Sequence, residues 1–539
     1  MKRALLTLLL GMLVAIFFLT QGVLAQPAPA QVGAAGHWEG EITLPGTALE
    51  IHVDLSRDKD AWEAKIDIPQ QGAQGLALQS VRVEAEKVHF ELQAGPGLAV
   101  FEGKLEGDKI SGTFTQAGQA FPFSLTRKAA AAAATQTSAA GKQGLDGLDD
   151  FVARAMKDWK VPGLAIAVVQ DGKVILSKGY GYRDMEKQLP VTSNTLFAIG
   201  SITKSFTVST LGMEMDEGKV DWDKPVRDYL PTFKLYEPML TEQVMIRDLV
   251  THRTGLPRHD FVWYTSDFSR EDLLRRLQYL EPSKPLRAKF QYNNLMFMTA
   301  GYIAGQLNGT SWEDAITQRV LRPLGMNGTN FSELDTQNSS DFAQPYRKGS
   351  DLKAELKRIP FDQQCPTRCA RGPAGEINSN VDDMSKYLLF HMNKGKVGGK
   401  QLLSENNSVQ MQVPQMAIQG ASPYKELGDD NYGMGFFLST YRGHKVVEHG
   451  GNIDGFSAEL TFMPNEKIGV VVLTNLDGNP LTQILAWNIY DRLLGLDQVG
   501  WSQRMLAQEA GGKKSEQEAK DKGYTERKTG THPSHELKE

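Results

Sequence analysis

The chain has 539 residues, 41% of them apolar, and a formal net charge of −5. That is enough material for a large core and more than one domain. A charge this small over such a length excludes strong attraction to nucleic acid or to an anionic surface, so no nucleic-acid partner is expected.

At the N-terminus Lys2 and Arg3 precede an uncharged apolar stretch from Ala4 to Leu19, and Val23-Leu24-Ala25 offers the small residues a signal peptidase reads. Residues 1–25 are therefore expected to be a signal peptide, with the mature chain starting at Gln26 and exported to the periplasm or secreted. Left uncleaved, this stretch is long enough to span a bilayer, since about 20 residues suffice. A membrane partner is expected only in that case.

Residues 33–128 change character. Trp38–Leu44, Leu49–Leu55, Trp62–Ile68, Val81–Ala85, Val88–Leu92, Leu98–Leu105 and Ile110–Thr115 largely alternate apolar with polar at period two. Gly, Asp and Pro punctuate them, which predicts a small all-β barrel or sandwich domain. Residues 129–144 open with Ala129–Ala134 and continue in Thr, Gln, Ser and Gly, a composition that predicts a linker.

Residues 145–497 then read as an α+β domain. An amphipathic helix is expected at about Leu145–Lys157, followed by a hairpin of Leu164–Val169 and Val174–Tyr180 around Asp171-Gly172. Near the other end Lys445–His449, Ser457–Met463 and Gly469–Thr474 read as consecutive strands, closed by an apolar helix near Leu481–Leu494. Strands at both ends and helices between predict an antiparallel sheet covered by helices, with a helical region facing the His449 strand. Residues 498–539 are expected to be a charged, disordered tail or a frayed helix.

Cys365 and Cys369 are the chain's two cysteines. Without nearby His ligands they are too few for a structural zinc site, and no metal or other cofactor is expected. In an oxidising compartment a disulfide shaping that loop is the natural expectation, with two free thiols as the alternative.

Three motifs carry chemistry: Ser201-Ile-Thr-Lys204, Tyr292-Asn-Asn294 and His449-Gly-Gly451. Ser-x-x-Lys alone is weak, since it recurs at Ser56, Ser350 and Ser422, where a solvated surface pair is the expected meaning. The other two are rarer, for only Tyr292 opens a Tyr-x-Asn and only His449 precedes Gly-Gly. If a helix starts at Gly200–Ser201, residues three apart share a face and Lys204 comes under the Ser201 hydroxyl. The run after it, Phe206–Met215, is mostly apolar, so burial should lower the lysine pKa and make Lys204 a proton acceptor. Tyr292 would be a second proton carrier, either as phenolate or through Lys204. Asn294 offers an amide for a substrate carbonyl. Gly450 and Gly451 let the strand approach the substrate closely, and the backbone N–H groups of Ser201 and Asn452 are expected to form an oxyanion hole. His252, in Thr251-His-Arg-Thr-Gly-Leu-Pro257, invites a Ser/His reading but is expected to be structural.

Phe197–Phe206, Leu249–Pro257, Tyr292-Asn-Asn294, Pro373-Ala-Gly-Glu-Ile377 and His449-Gly-Gly-Asn-Ile-Asp-Gly-Phe456 together resemble the serine β-lactamase-like hydrolases. That superfamily includes class C β-lactamases, DD-peptidases, D-aminopeptidases and β-lactamase-fold esterases. The resemblance covers about residues 145–497 and implies a β-lactamase/penicillin-binding-protein-like fold, with Ser201, Lys204 and Tyr292 catalytic. Asn294, His449, Gly450 and Gly451 would bind substrate. One departure narrows the substrate. Class C β-lactamases carry Lys-Thr-Gly where this chain has His449-Gly-Gly, the lysine helping to bind a carboxylate, and a neutral imidazole is a poor partner for one. A small-molecule or peptide substrate is expected, with peptidase or amidase activity on cell-wall fragments or D-aminoacyl compounds favoured. An esterase is the first alternative, and a β-lactamase or a slow acyl-capturing penicillin-binding protein the second. A tail like Gly530-Thr-His-Pro-Ser-His535 leads in some relatives into a further small β-domain, so the chain is read as a shortened member.

Overall fold

The computed structural model describes residues 34–525, apart from 45–46, 59–60, 69–72, 95–96, 129–142, 265, 350–354, 362–371 and 421. The expected signal peptide, most of the expected linker, Ser350 and the Cys365/Cys369 pair lie outside the described residues. The chain divides into two compact units, 1–136 and 137–539.

The first unit is a meander of nine antiparallel strands: β1 (Gly36–Leu44), β2 (Thr47–Asp58), β3 (Ala61–Ile68), β4 (Ala73–Ala77), β5 (Gln79–Glu84), β6 (Lys87–Ala94), β7 (Gly97–Glu106), β8 (Lys109–Gln116) and β9 (Gln119–Lys128). Their order is β4-β3-β2-β1-β9-β8-β7-β6-β5, so the first strand pairs with the last. The two ends of this order are consecutive in the chain. Leu78, between them, donates its N–H to Ala64 O of β3 at 2.9 Å, continuing the β3/β4 ladder, and β5 lies against β3, so the meander curls towards an up-and-down barrel. Period two sets the interior: Trp38 and Ile42, Ile51 and Val53, Phe90, Phe101, Ile110, Phe123 and Leu125 are all buried. Phe90 and Phe101 stack at 4.7 Å across β6 and β7. The sequence reading did not foresee β4 or β9. β9 carries Pro122, which demotes a run on propensity grounds. In the barrel Pro122 pairs with Thr113 of β8 but lies one residue past the β1 register, which ends at Ile42↔Phe123, so no ladder bond to β1 is lost there.

The second unit is a nine-stranded sheet with helices on both faces. Its order runs Leu189–Pro190, Lys173–Asp184, Gly163–Gln170, Ile468–Thr474, Phe456–Met463, His444–Ile453, Phe437–Tyr441, Asn431–Tyr432 and Met416–Ala417. The early hairpin thus joins the late strands, with Leu164 opposite Thr474, as the α+β reading expects. Alternation along Gly163–Gln170 divides two cores. Leu164, Ile166 and Val168 pack under helix Leu148–Trp159 and helix Leu481–Leu493. Ala165, Ala167 and Val169 join the larger core on the other face, which holds the helical region and the candidate site.

Within the charged tail Trp501–Thr525 forms one continuous helix, which corresponds to the second of the two readings, disorder or a frayed helix. Its start is anchored: Trp501 is buried, donates from Nε1 to Tyr441 OH at 3.0 Å and lies 4.5 Å from the Trp487 ring. Beyond the anchor the charged residues are good helix formers, so lack of an apolar stripe does not stop propagation. Among the described residues no helix is long and apolar enough to cross a membrane.

Candidate active site

The nucleophile turn is fixed from both sides. Ile199 N–H donates to Ile377 O at 3.0 Å. Gly200 then takes the left-handed φ of +50°, and a Cβ there would stand 2.9 Å from Asn452 N. Gly200–Ile202 form a single 3₁₀ turn that runs directly into helix Thr203–Asp216. That helix is buried on every side from Thr203 to Glu214, so it carries no amphipathic stripe.

Lys204 Nζ lies 3.0 Å from Ser201 Oγ and 2.7 Å from Ala374 O. The lysine is fully buried, and that desolvation pushes its pKa well below the ordinary value. The Arg258 charge lowers it further, while Asp260 acts in the opposite sense. A neutral amine beside the serine hydroxyl can take its proton. The Ala374 carbonyl that steers the amine belongs to Pro373-Ala-Gly-Glu-Ile377. This segment is held by Thr207 Oγ1 donating to Pro373 O at 2.8 Å and by Ile377 N–H donating to Thr203 Oγ1 at 3.2 Å.

The Tyr292 hydroxyl lies near enough to Ser201 for the serine to favour its ionised form, and Lys204 Nζ stands 4.8 Å from the centroid of its ring. Desolvation pushes the phenol's ionisation above its usual value, only partly countered by Ser201 and Arg258. Of the two roles open in the sequence, phenolate or relay through Lys204, the geometry favours a neutral phenol that passes protons. His252 holds the ring in place. It is fully buried, with its ring centroid 4.2 Å from that of Tyr292 and close to Phe290, Phe297 and Tyr432. Its Nδ1 accepts the backbone N–H of Asn293 at 3.0 Å, and burial keeps it neutral. Asn293 in turn caps helix Asn294–Leu307 by accepting from Met296 N–H at 3.1 Å.

Strand His444–Ile453 brings the remaining expected residues. Ile453↔Phe456 closes the tight turn to the next strand, and alternation from there makes Asn452↔Ser457 a non-hydrogen-bonded pair. The Asn452 N–H is therefore aimed away from Phe456–Met463, towards the nucleophile turn. Gly451 permits this approach: a Cβ on it would sit 2.0 Å from Ile199 O and 3.3 Å from Ser201 N. The two expected oxyanion donors, Ser201 N–H and Asn452 N–H, thus face one space.

Two expected substrate contacts differ from what the sequence suggests. His449 is 1% exposed, with Nδ1–H donating to Gly450 O at 2.7 Å and Nε2 3.2 Å from Tyr432 OH. Both nitrogens are occupied, and burial lowers the pKa to about 3. Its side chain is a buried prop of the strand and is not placed to touch substrate. Gly450 likewise faces Glu459 on the sheet's other side, since a Cβ there would meet Glu459 Oε2 at 3.3 Å. Asn294 does line the cleft, but its Nδ2 already donates to Asp260 Oδ1 at 3.2 Å. The other Ser-x-x-Lys serines stand apart: Ser56 lies on β2 of the first unit and Ser422 beside a separate cavity.

Ser201 opens into a cleft of about 630 Å³ lined also by Gly200, Arg258, Asp260, Trp263, Tyr264, Asn294, Arg347, Asn452, Ile453 and Asp454. Sequence reasoning missed Arg258, Asp260 and Tyr264. Their one signal is position, directly after the Leu256-Pro257 end of a family motif. Tyr264 OH donates to Asp454 at 2.9 Å, joining that loop to the turn after Ile453.

The beta-lactamase family model matches residues 148–493. The chain is 32% identical over 374 residues to unguisins hydrolase ungD' of Aspergillus campestris, covering 65% of this chain and 66% of that protein. It is 24% identical over 342 residues to protein flp of Staphylococcus aureus, covering 63% and 64%. The octameric penicillin-binding protein homologue from Pyrococcus abyssi superposes with a TM-score of 0.57 at 28% identity, over 65% of this chain and 77% of that one. The match thus spans about two thirds of the curated relatives' length. With the antiparallel sheet, the helices and this alignment in hand, the chain belongs to the beta-lactamase family of serine hydrolases.

Proposed function

We propose that the protein is an exported hydrolase that forms an acyl-enzyme on Ser201 and acts on peptides or D-aminoacyl amides in preference to β-lactams. The observation that carries this is the buried Lys204 amine 3.0 Å from Ser201 Oγ. Neutral Lys204 takes the Ser201 proton as Oγ attacks the substrate carbonyl carbon. The oxyanion gathers on the Ser201 and Asn452 N–H groups, where one such donor is worth about 3–4 kcal/mol. As the tetrahedral intermediate collapses, the proton passes through Tyr292 to the leaving nitrogen or oxygen. Water then attacks the acyl-enzyme, giving its proton to the same pair, and Ser201 is released reprotonated. The relatives named unguisins hydrolases support a hydrolytic outcome. The neutral, enclosed His449 supports the choice against β-lactams, because that strand position offers no cation for their carboxylate. A panel of D-aminoacyl p-nitroanilides, p-nitrophenyl esters, nitrocefin and benzylpenicillin at one pH tests it. Amides should show the highest kcat/KM. Esters ahead of amides would make the protein an esterase, and β-lactams ahead of both would overturn the reading.

A further inference from the structure

Among the described residues three cations line the cleft, and they are not equivalent. Arg347 is spent between Asp454 and Asp477, at 2.7 Å from each. Lys348 reaches over the Trp159 ring at 5.4 Å. Arg258 differs from both. Its Nε donates to Asp260 Oδ2 at 2.6 Å, and its guanidinium lies over the Tyr292 ring with Cζ 5.0 Å from the centroid. Among the described residues, no partner meets its two terminal nitrogens.

This arginine is pre-set. Asp260 receives not only Arg258 but also the Trp263 indole N–H at 3.0 Å and the Asn294 amide at 3.2 Å, through Oδ1. The carboxylate anchoring the guanidinium is thus itself held by two donors, and the Tyr292 face fixes the guanidinium plane from one side. What stays open is the edge formed by Nη1 and Nη2. That edge matches a carboxylate bidentately, and its geometry costs little side-chain ordering on binding.

Building on the Ser201 hydrolase reading, we infer that Arg258 forms a carboxylate-binding subsite, so that the preferred substrates carry a free carboxylate near the scissile bond. The cation comes from the loop after Pro257 and not from the strand that carries His449. It therefore serves an extended acid reaching across the cleft from the strand, a different placement from one on the strand itself. Arg258 also lies close enough to lower the Lys204 pKa, and a bound carboxylate would partly cancel that effect.

The test uses two matched substrate pairs, so that either side of the scissile bond is covered. One is 4-nitrophenyl hemisuccinate against 4-nitrophenyl butyrate; the other is N-acetyl-D-Ala-D-Ala against its C-terminal amide. In Arg258→Gln the ratio of kcat/KM for the acid over its neutral partner should fall at least tenfold in one pair, with Arg258→Lys retaining part of it. A fall smaller than tenfold in both pairs overturns the subsite. Each ratio compares two substrates of one enzyme, so a general effect of Arg258 on Lys204 cancels. An unchanged ratio in an active variant sinks the subsite alone, whereas covalent labelling by a fluorophosphonate that survives in Ser201→Ala would sink the nucleophile.

Discussion

Gly451→Ala is the perturbation whose consequence the structure sets most sharply. The new Cβ would lie 2.0 Å from Ile199 O and 2.9 Å from Ile199 C, both backbone atoms of the segment leading into Ser201. Real Cβ contacts essentially never fall below 3.0 Å, so the strand and the nucleophile turn must separate by at least about 1 Å. That movement draws Asn452 N–H away from the Ser201 N–H it faces. Loss of one oxyanion donor costs about 10²–10³ in kcat, and a displacement of about 1 Å at reacting groups has a similar scale. Gly451→Ala should therefore lower kcat on a p-nitrophenyl ester by about 10²–10³ with KM changing far less, and lower stability by about 1–3 kcal/mol. Gly450→Ala is the matched control. Its Cβ meets the Glu459 carboxylate at 3.3 Å, an end that can swing aside, and Ala458 O at an ordinary contact distance of 3.7 Å, so the loss should be much smaller. Steady-state kinetics with thermal unfolding of both variants decide. A Gly451→Ala enzyme with kcat within about threefold of wild type would refute the close approach and the oxyanion role of Asn452.

Lys204→Ala and Tyr292→Phe should each lower kcat by at least about 10²-fold in a folded protein; a Tyr292→Phe enzyme altered only in KM would remove the tyrosine from proton transfer. Because the Lys204 pKa is lowered in the folded protein, the amine is neutral above that depressed value and protonates as pH falls through it. The kcat/KM profile should accordingly lose activity on its acid side, and Arg258→Gln, by removing a like charge, should move that limb to higher pH. A limb that stays in place would remove Arg258 from the tuning of Lys204. His449, at about 3, and the neutral His252 should contribute no limb near the ordinary histidine value of about 6.5. His449→Lys should destabilise the strand without raising nitrocefin turnover, since an ammonium there would be buried close to Lys204; a gain in kcat/KM on nitrocefin with unchanged Tm would contradict that placement.

The sheet and the nucleophile pair were legible because their signals are local. The short, continuous apolar runs Leu164–Val169 and Gly469–Thr474 mark buried strands, and a three-residue spacing places Lys204 on the face of Ser201 once a helix follows. Which face of the strand a side chain takes is set by register, and that is where the reading of His449 departs. The sequence shows a histidine beside two glycines but not that its nitrogens find Gly450 O and Tyr432 OH. Arg258 and Asp260 were invisible for another reason. Neither belongs to a periodic element, and their meaning comes from Tyr292 and Asn294, more than thirty positions away. For the tail the sequence left disorder and a frayed helix open, because what anchors helix Trp501–Thr525 is one tryptophan finding Trp487 and Tyr441, a tertiary contact that composition does not reveal.

The most direct test of the central claim is intact-mass labelling by a fluorophosphonate, wild type beside Ser201→Ala. Wild type should gain one adduct, mapped by peptide sequencing to Ser201, and Ser201→Ala should gain none, while Ser56→Ala, Ser350→Ala and Ser422→Ala label as wild type does. An adduct that persists in folded Ser201→Ala, or that maps to another serine, would contradict the account.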